Sequence, residues 1–336
     1  MLVRSRKLAL TIILTLVSSA TVAMFVSFAG ANPLPVQPDT SILIGIDGSV
    51  NGTDRILREG NVYRFTGNVV NNVTISRSDI IIDGAGFTLQ GKGDAYGFYI
   101  REESNITIKN LQIENFSYGI WAWKCQNIVI TGNMITSNHV GIELSCLAPS
   151  NDSVSGNTIK SNHSGIIIAS NSSTFIAGNR IEGNNYGLGV TGTAQNSRIY
   201  HNSFINNTFQ VSFHPYLTSI FEGRVLGLVA WDDGHRGNYW SDFQGVDDDN
   251  NGVAGSAYVI KSDYAGVADC RDRFPLMTPL TVLVETPDYS PLDESQYSNN
   301  VNESFYFYLL GAAVAVGAGV AVLALAVYKT KKPKIN

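Results

Sequence analysis

The segment NMITSNHVGI (residues 133–142) recurs as NTIKSNHSGI at 157–166 and as NRIEGNNYGL at 179–188. Outward from these copies, glycine returns at intervals of 22, 22, 24 and 22 residues, at Gly97, Gly119, Gly141, Gly165 and Gly187. Asparagine runs in phase at intervals of 23, 24, 22 and 23, at Asn110, Asn133, Asn157, Asn179 and Asn202. Strand-like units repeating at this period are typical of a solenoid. We therefore predict an all-β, single-stranded parallel β-helix of about seven coils of 22–24 residues.

Equivalent residues of successive coils are expected to stack, because parallel strands lie about 4.7–4.9 Å apart. The predicted interior columns are Ile135, Ile159, Ile181 and Phe204, and Ile120, Ile142, Ile166, Leu188 and Val211. We expect the asparagines to hydrogen-bond from coil to coil and to occupy left-handed turn positions. The repeated glycine is expected to supply positive φ. Both columns are thus predicted to be structural.

The two ends of the chain have the composition of membrane-related segments. Residues 1–31 combine a basic start, an apolar run and a small-residue site, which predicts an export signal that is either cleaved or retained as an anchor. Residues 305–328 are uncharged and apolar and precede a basic tail at 329–336, which predicts one transmembrane helix with a cytoplasmic C-terminus. The region between them is then extracellular.

The extracellular region divides by composition and periodicity. We predict an N-terminal strand and cap region at 32–79, β-helix repeats at 80–214, a C-terminal cap at 215–280 and an acidic, flexible stalk at 281–304. The cap carboxylates Asp232, Asp233, Asp242 and Asp272 are expected to serve turns and hydrogen bonds of the cap itself.

Charge and cysteine content argue against a nucleic-acid partner and against a disulfide framework. The net charge of −5 argues against a nucleic-acid partner. Three cysteines are too few for a disulfide framework, although Cys125 and Cys146 fall in neighbouring coils and could pair.

Several longer stretches resemble one known family. They are DIIIDGAGFTLQGKGDAYGFYI (79–100), NITIKNLQIENFSYGI (105–120), IVITGNMITSNHVGIEL (128–144) and GNYWSDFQGVDDDNNGVAGSAYVI (237–260). They resemble NosD-like proteins over about residues 40–280. The resemblance implies a right-handed parallel β-helix with repeats of the carbohydrate-binding and sugar-hydrolase type, as on archaeal cell surfaces.

The family's name comes from a periplasmic protein that assists copper loading of nitrous oxide reductase. Copper handling requires soft thioether, thiolate or imidazole ligands. The exported region holds only two methionines, Met134 and Met277, in unrelated places. We therefore do not expect a copper maturation role.

The first candidate site is an outward-facing aromatic wall. If Ile120 and Ala122 point inward, strand alternation places Trp121 and Trp123 outside. One coil to either side, the same face would carry Tyr99, Arg101, Glu143 and Ser145. Flat aromatic rings beside charged groups hold sugar rings, so we predict that Tyr99, Arg101, Trp121, Trp123 and Glu143 bind a polysaccharide of the envelope or the environment. The alternative is that a loop or the N-terminal cap covers these rings as ordinary packing.

Two other functions remain open for this face. Glycoside hydrolysis needs two carboxylates roughly 5 to 9 Å apart, and Glu143 has no second carboxylate in its own column. Glu102, Glu103 and Glu114 are near in sequence. A polysaccharide hydrolase or lyase is therefore one alternative, and a structural surface protein without a small ligand is another.

Two further clusters have the composition of metal sites. Asp247, Asp249, Asn251 and Val253 occupy positions 1, 3, 5 and 7 of a calcium loop, but position 12 is Tyr258 instead of glutamate. This pattern predicts either a structural Ca²⁺ ion or a plain acidic turn. His139 and His163 should lie side by side in adjacent coils, where polar corner residues are the favoured interpretation because no third ligand is evident.

Overall fold

The computed structural model describes residues 41–146, 150–169, 173–191, 196–213, 229–261, 269–290 and 292. These residues form strands, turns and irregular segments, and none of them belongs to a helix that could cross a membrane. The predicted signal (1–31) and transmembrane helix (305–328) lie outside the described residues.

Twenty-eight short strands make up the described part of the chain. The first fourteen are β1 (Ile42–Ile44), β2 (Val50–Asn51), β3 (Ile56–Glu59), β4 (Val62–Phe65), β5 (Val69–Val70), β6 (Val73–Ile75), β7 (Ile80–Asp83), β8 (Thr88–Gln90), β9 (Tyr96–Arg101), β10 (Ser104–Lys109), β11 (Gln112–Glu114), β12 (Tyr118–Trp123), β13 (Gln126–Thr131) and β14 (Met134–Thr136). The others are β15 (Val140–Ser145), β16 (Asn151–Ser155), β17 (Thr158–Lys160), β18 (Ser164–Ala169), β19 (Ser173–Ala177), β20 (Arg180–Glu182), β21 (Tyr186–Thr191), β22 (Ser197–Tyr200), β23 (Ser203–Ile205), β24 (Phe209–Phe213), β25 (Val229–Ala230), β26 (Tyr239–Trp240), β27 (Tyr258–Ile260) and β28 (Cys270–Asp272).

Three long sheets form the walls of a parallel β-solenoid. Sheet A has the order β2-β1-β6-β9-β12-β15-β18-β21-β24, sheet B the order β25-β22-β19-β16-β13-β10-β7-β4-β3, and sheet C the order β26-β23-β20-β17-β14-β11-β8-β5. From β6 to β23 the chain visits A, B and C in turn, which gives about six coils where about seven were predicted. The predicted all-β parallel solenoid is confirmed.

The interior columns are confirmed. Ile135 pairs with Ile159, which pairs with Ile181, and all three side chains are fully buried. Ile120, Ile142 and Leu188 are likewise buried on sheet A. Each such side chain contributes about 1.5–3 kcal/mol by leaving water, so stacked columns supply most of the driving force for the fold.

Two asparagine ladders run along the corners of the solenoid. In the first, the backbone N–H and Nδ2 of Asn133 donate to Oδ1 of Asn157, and the same bonds repeat through Asn179 and Asn202 to Asn238. The second ladder runs in the same way through Asn138, Asn162, Asn184 and Asn207. The predicted coil-to-coil amide bonding is confirmed.

Asn110 does not belong to the first ladder, contrary to the sequence prediction. The pairing of Gln112 with Met134 puts Leu111, not Asn110, beside Asn133. The Leu111 N–H donates to Asn133 Oδ1 at 3.1 Å. Asn110 instead adopts φ of 56° and donates from Nδ2 to Asp83 at 3.2 Å.

The glycine column has a different cause from the predicted one. Contrary to the prediction, the ladder asparagines do not occupy the left-handed positions; the residues just before them do, such as Gly132 and Gly156 (φ 64° and 65°). The repeated glycines are not among the positive-φ residues. A Cβ at Gly141 would lie 2.5 Å from the carbonyl oxygen of Gly165, so the close approach of adjacent coils excludes a side chain.

Antiparallel strands protect the N-terminal end of the solenoid. β2 pairs with β1 at the edge of sheet A, and β3 pairs with β4 at the edge of sheet B. Parallel pairing already begins with β1 against β6, ahead of residue 80. These short edge strands blunt the open hydrogen-bonding edges that would otherwise recruit another chain.

Aromatic stacking closes the other end. The Trp240 ring stacks on Phe204 at 4.5 Å and on Tyr258 at 4.3 Å between ring centroids. Beneath it, Asp272 accepts hydrogen bonds from Asn238 N (2.6 Å) and Trp240 Nε1 (2.8 Å). Burial raises the pKa of Asp272 to about 7 despite these donors. The predicted structural role of this carboxylate is confirmed, and Asp232 pairs with Arg273 in the same cap.

Residues 280–290, which we call the docked segment, run back along the solenoid. Leu280 N donates to Ser203 Oγ at 3.0 Å, and Leu283 N donates to the Gly178 carbonyl at 3.1 Å. Tyr289 Oη donates to the carbonyl of Asn151, two coils away from Ser203, at 3.0 Å. The first ten residues of the predicted stalk (281–304) are therefore held against the solenoid.

Candidate functional site

The strand register brings the predicted site residues together. Trp121 on β12 pairs with Tyr99 on β9 and with Glu143 on β15. Trp123 pairs in the same way with Arg101 and Ser145. All five predicted sugar-binding residues therefore lie on three adjacent strands of sheet A.

Trp121 is not exposed, which corrects the prediction. Only 6% of its surface reaches solvent. Its ring lies 5.1 Å from Tyr99, 5.2 Å from Tyr96 and 6.3 Å from Trp123, centroid to centroid. Neighbouring aromatic rings therefore cover Trp121, while Tyr99 and Trp123 remain partly exposed.

Tyr96 and Tyr118 complete the cluster and were missed from the sequence. Simple alternation puts Tyr96 on the same side as the interior Phe98, yet its ring lies against Tyr99 and Trp121. In β9 and β12 the column glycine lies between an outer tyrosine (Tyr96, Tyr118) and an interior residue (Phe98, Ile120), so strict alternation fails at the glycine. The available signal was an aromatic residue directly before two successive column glycines. We call Tyr96, Tyr99, Tyr118, Trp121 and Trp123 the aromatic face.

Glu143 is the acidic group of this face. Trp121 Nε1 donates to Oε1 at 3.3 Å, and Ser145 Oγ donates to the same oxygen at 2.9 Å. Burial raises the pKa of Glu143, and these two hydrogen bonds oppose the rise. Within the described residues no side chain donates to Oε2.

No described carboxylate acts on Glu143. The groups that shift its pKa, apart from burial, are Ser145 and Trp121. Glu102 instead forms ion pairs with Arg101 and Lys124, and Glu103 accepts a hydrogen bond from Ser78 Oγ at 2.6 Å. Glu114 belongs to sheet C. The structure therefore gives Glu143 no evident acid–base partner among these three.

Two cations lie over the indole of Trp123. The Arg101 guanidinium carbon is 4.8 Å from the ring centroid, and Lys124 Nζ is 4.2 Å from it. Glu102 lies 3.5 Å from Arg101 and 3.6 Å from Lys124. One edge of the aromatic face is thus cationic.

Beyond Glu143, the outer side chains of sheet A become smaller. The register continues from Glu143 to Ile167, Gly189 and Ser212. The rings of Tyr99 and Trp121 therefore lie on the middle strands of sheet A, and the same column ends in small side chains on its last two strands.

The acidic loop of the cap is closed on itself. Asp247 accepts from the backbone N–H groups of Asn251 (3.1 Å) and Gly252 (2.8 Å), and Asn251 Oδ1 accepts from Val253 N at 2.8 Å. Asn251 Nδ2 donates to Asp249 at 2.9 Å. In the described ranges no three His, Cys, Asp or Glu side chains are arranged to hold a metal ion. Calcium at this loop stays a prediction, tested by whether Ca²⁺ raises the unfolding temperature and Asp247→Asn removes the rise.

The histidine pair is confirmed as neighbours. The His139 and His163 rings are stacked 4.7 Å apart with their planes 5° from parallel. In-plane nitrogen lone pairs of parallel rings do not converge on one ion, and Asn185 is the next residue of the column, 3.5 Å from His163 Nδ1. This geometry favours the corner role over a metal site.

Cys125 and Cys146 are both buried free thiols; Cys125 Sγ donates to the carbonyl of Trp123 at 3.3 Å, and Cys146 Sγ donates to that of Ala122 at 4.0 Å. The interaction between the two thiols lowers the pKa of Cys125 and raises the pKa of Cys146. The predicted proximity is confirmed, while disulfide formation stays a prediction.

Comparison with known proteins identifies relatives of the solenoid. A family model described as "Periplasmic copper-binding protein (NosD)" matches residues 46–245. Two relatives carry the name "Probable ABC transporter binding protein NosD": that of Pseudomonas aeruginosa is 38% identical over 85 residues, and that of Stutzerimonas stutzeri is 32% identical over 83 residues. The matches cover 24% and 25% of this chain but 18% and 17% of the relatives, so the chain spans less than a fifth of the proteins it matches.

Proposed function

The chain belongs to the NosD family, and from this premise we propose that it binds a cell-envelope or environmental polysaccharide outside the cell. We propose further that its coils wind right-handedly, as parallel crossovers do in nearly all proteins. The observation that carries the binding proposal is the aromatic face with its hydrogen-bonding group Glu143. Partly exposed aromatic residues clustered with polar groups are typical of ligand sites rather than of ordinary surface.

The residues of this site would have two roles: some would contact the sugar, and others would hold the contacting residues in position. Tyr99 and Trp123 are partly exposed and would meet the apolar C–H surface of a sugar ring. Arg101 is exposed, and no described side chain donates to Glu143 Oε2, so both would bond sugar hydroxyls. Trp121 is buried and would position Glu143 through its Nε1 donor.

Two observations favour the alternatives. The raised pKa of Glu143 suits a general acid, which favours a hydrolase or lyase on the same face. The burial of Trp121 suits packing, which favours a structural surface protein without a small ligand. Neither accounts for two cations held over a partly exposed Trp123, so polysaccharide binding is the preferred function.

Location follows the composition of the two ends. We propose an extracellular solenoid anchored by residues 305–328, with residues 329–336 in the cytoplasm and a second span if residues 1–31 are retained. Protease treatment of intact cells should remove the solenoid and spare a C-terminal tag. A tag that is digested from outside would contradict this orientation.

The binding test uses the full-length protein in detergent on a panel of immobilised polysaccharides, with retention and released sugar recorded together. We expect retention without products, lost in Tyr99→Ala plus Trp123→Ala. Phe274→Ala is the matched control, because Phe274 is a partly exposed aromatic of the cap that also has a cation over its ring, the Arg273 guanidinium carbon at 5.5 Å from the centroid. Released products would establish the enzyme, and a lack of retention on every polymer would favour the structural role.

A further inference from the structure

The cations over Trp123 bear on which polysaccharide the face can take. Side chains of Arg101 and Lys124 are 43% and 40% exposed, so both charges reach solvent. Both pair with Glu102, which is the one carboxylate that forms an ion pair with either of them in the described residues. The group therefore carries two positive charges and one negative charge, on a chain with a net charge of −5.

The Trp123 ring holds both cations in place. At 4.8 Å and 4.2 Å from the centroid, the two groups are within the range of cation–π attraction. Long basic side chains are otherwise mobile, and ordering them on binding costs conformational entropy. Part of that cost is removed here before any ligand arrives.

This arrangement distinguishes neutral from acidic sugars. A neutral ring that stacked on the part of Trp123 under the cations would have to displace both of them. An acidic substituent would instead meet them directly and form charge-assisted hydrogen bonds, which are roughly twice as strong as neutral ones.

Resting on the proposed function, we propose that the ligand is an acidic polysaccharide whose carboxylate or sulfate groups bind between Arg101 and Lys124 while its sugar rings contact Tyr99 and the uncovered part of Trp123. The shared chemistry is an anionic group repeated along a polymer. Sheet A offers the polymer a path from this cationic edge past Glu143 to the small residues Gly189 and Ser212.

The test measures affinity of the full-length protein in detergent for polygalacturonate, dextran sulfate and neutral dextran at low and high salt. We expect at least one acidic polymer to bind about tenfold or more tightly than dextran, and the difference to shrink at high salt. Arg101→Gln plus Lys124→Gln should weaken acidic-polymer binding about tenfold, which is about 1.4 kcal/mol.

The matched control is Arg236→Gln plus Arg271→Gln, which removes two exposed positive charges from the cap. This control should bind as the unaltered protein does, which separates local recognition from general charge. Preference for polygalacturonate assigns carboxylates as the anionic group, and preference for dextran sulfate assigns sulfates.

The proposal fails in three recognisable ways. In the first, dextran binds as tightly as the acidic polymers, Tyr99→Ala abolishes this binding, and the Arg101/Lys124 variant does not weaken it. This result would overturn the acidic ligand and keep the polysaccharide function. Equal loss in the cap control would make the attraction non-specific and overturn the site. Retention on no polymer would overturn both proposals.

Discussion

Trp121 and Glu143 form a single hydrogen-bonded unit within the aromatic face. The indole donates to a carboxyl whose pKa burial has raised, and the rings of Tyr96 and Tyr99 shield the indole from water. A truncation of Trp121 would therefore report folding, since removing a buried tryptophan costs about 3–5 kcal/mol. Partly exposed Tyr99 and Trp123 are the positions at which binding can be tested cleanly.

Replacing Glu143 by glutamine should stabilise the protein at neutral pH. A pKa raised in the folded state means that this carboxyl favours folding below its unfolded pKa and loses that contribution as the pH rises through the folded value. Glutamine keeps an oxygen for Trp121 Nε1 and carries no charge. Urea unfolding of Glu143→Gln should therefore show a gain over the unaltered protein that grows from acid to neutral pH.

Ser145→Ala serves as the control for that experiment. It removes the hydroxyl donor to Glu143 Oε1 and leaves the carboxyl in place. The stability of this variant should fall with rising pH, as that of the unaltered protein does, but more steeply, because loss of the Ser145 hydrogen bond raises the pKa of Glu143 further. A gain in Glu143→Gln that is the same at every pH would refute a raised pKa.

At the scale of the coil, the sequence predicted which residues repeat along a column but gave the wrong reason for the repeated glycine. The 22–24-residue period identified the interior columns and the amide ladder because identical side chains must stack in a parallel solenoid. Asn110 was misplaced because one residue of difference between coils moves a side chain from the ladder to the turn before it. The burial of Trp121 by Tyr96 was missed because strict alternation places the Tyr96 ring in the interior, whereas it lies against Trp121 on the outer face.

The glycine column provides a test of sterics against backbone conformation. Alanine at Gly141 would place Cβ 2.5 Å from the Gly165 carbonyl oxygen, and neither backbone can move without separating two coils. We expect Gly141→Ala to lower the free energy of unfolding by more than about 2 kcal/mol. Chemical denaturation measures this directly.

Gly183→Ala is the matched substitution. Gly183 has φ of 60°, and no atom lies within 4 Å of its added Cβ, so this alanine is strained by conformation alone. That strain costs roughly 1–2 kcal/mol. If Gly183→Ala cost as much as Gly141→Ala or more, the close approach of the coils would not explain the repeated glycine.

At the scale of the whole molecule, the docked segment ties the C-terminal part of the chain to the flank of the solenoid. Arg198 donates to the Ser290 carbonyl and lies 3.6 Å from Asp288, and the His201 ring lies between Glu285 (3.0 Å from Nδ1) and Asp233 (3.1 Å from Nε2). A force applied to the chain from its C-terminal side would therefore have to break these contacts before it reached the cap. The attachment depends on charge, and one of the charged groups is the imidazole of His201, whose pKa lies above its usual value.

Docking of this segment should weaken as the pH rises above neutrality. Burial lowers the pKa of His201, but Glu285 and Asp233 outweigh it, so the net pKa lies above the usual 6.5. The contribution of His201 to docking is then complete below about 6.5 and is lost as the pH rises through the higher folded value. Amide exchange of residues 280–290, corrected for intrinsic rates, should therefore show stronger protection at mildly acidic than at alkaline pH, and Glu285→Gln should remove most of that difference.

Asp288→Asn is the control, because its partner Arg198 stays charged throughout: it should loosen the segment equally at both pH values. Protection that is independent of pH in the unaltered protein would mean that backbone contacts such as Leu283 to Gly178 hold the segment without help from His201.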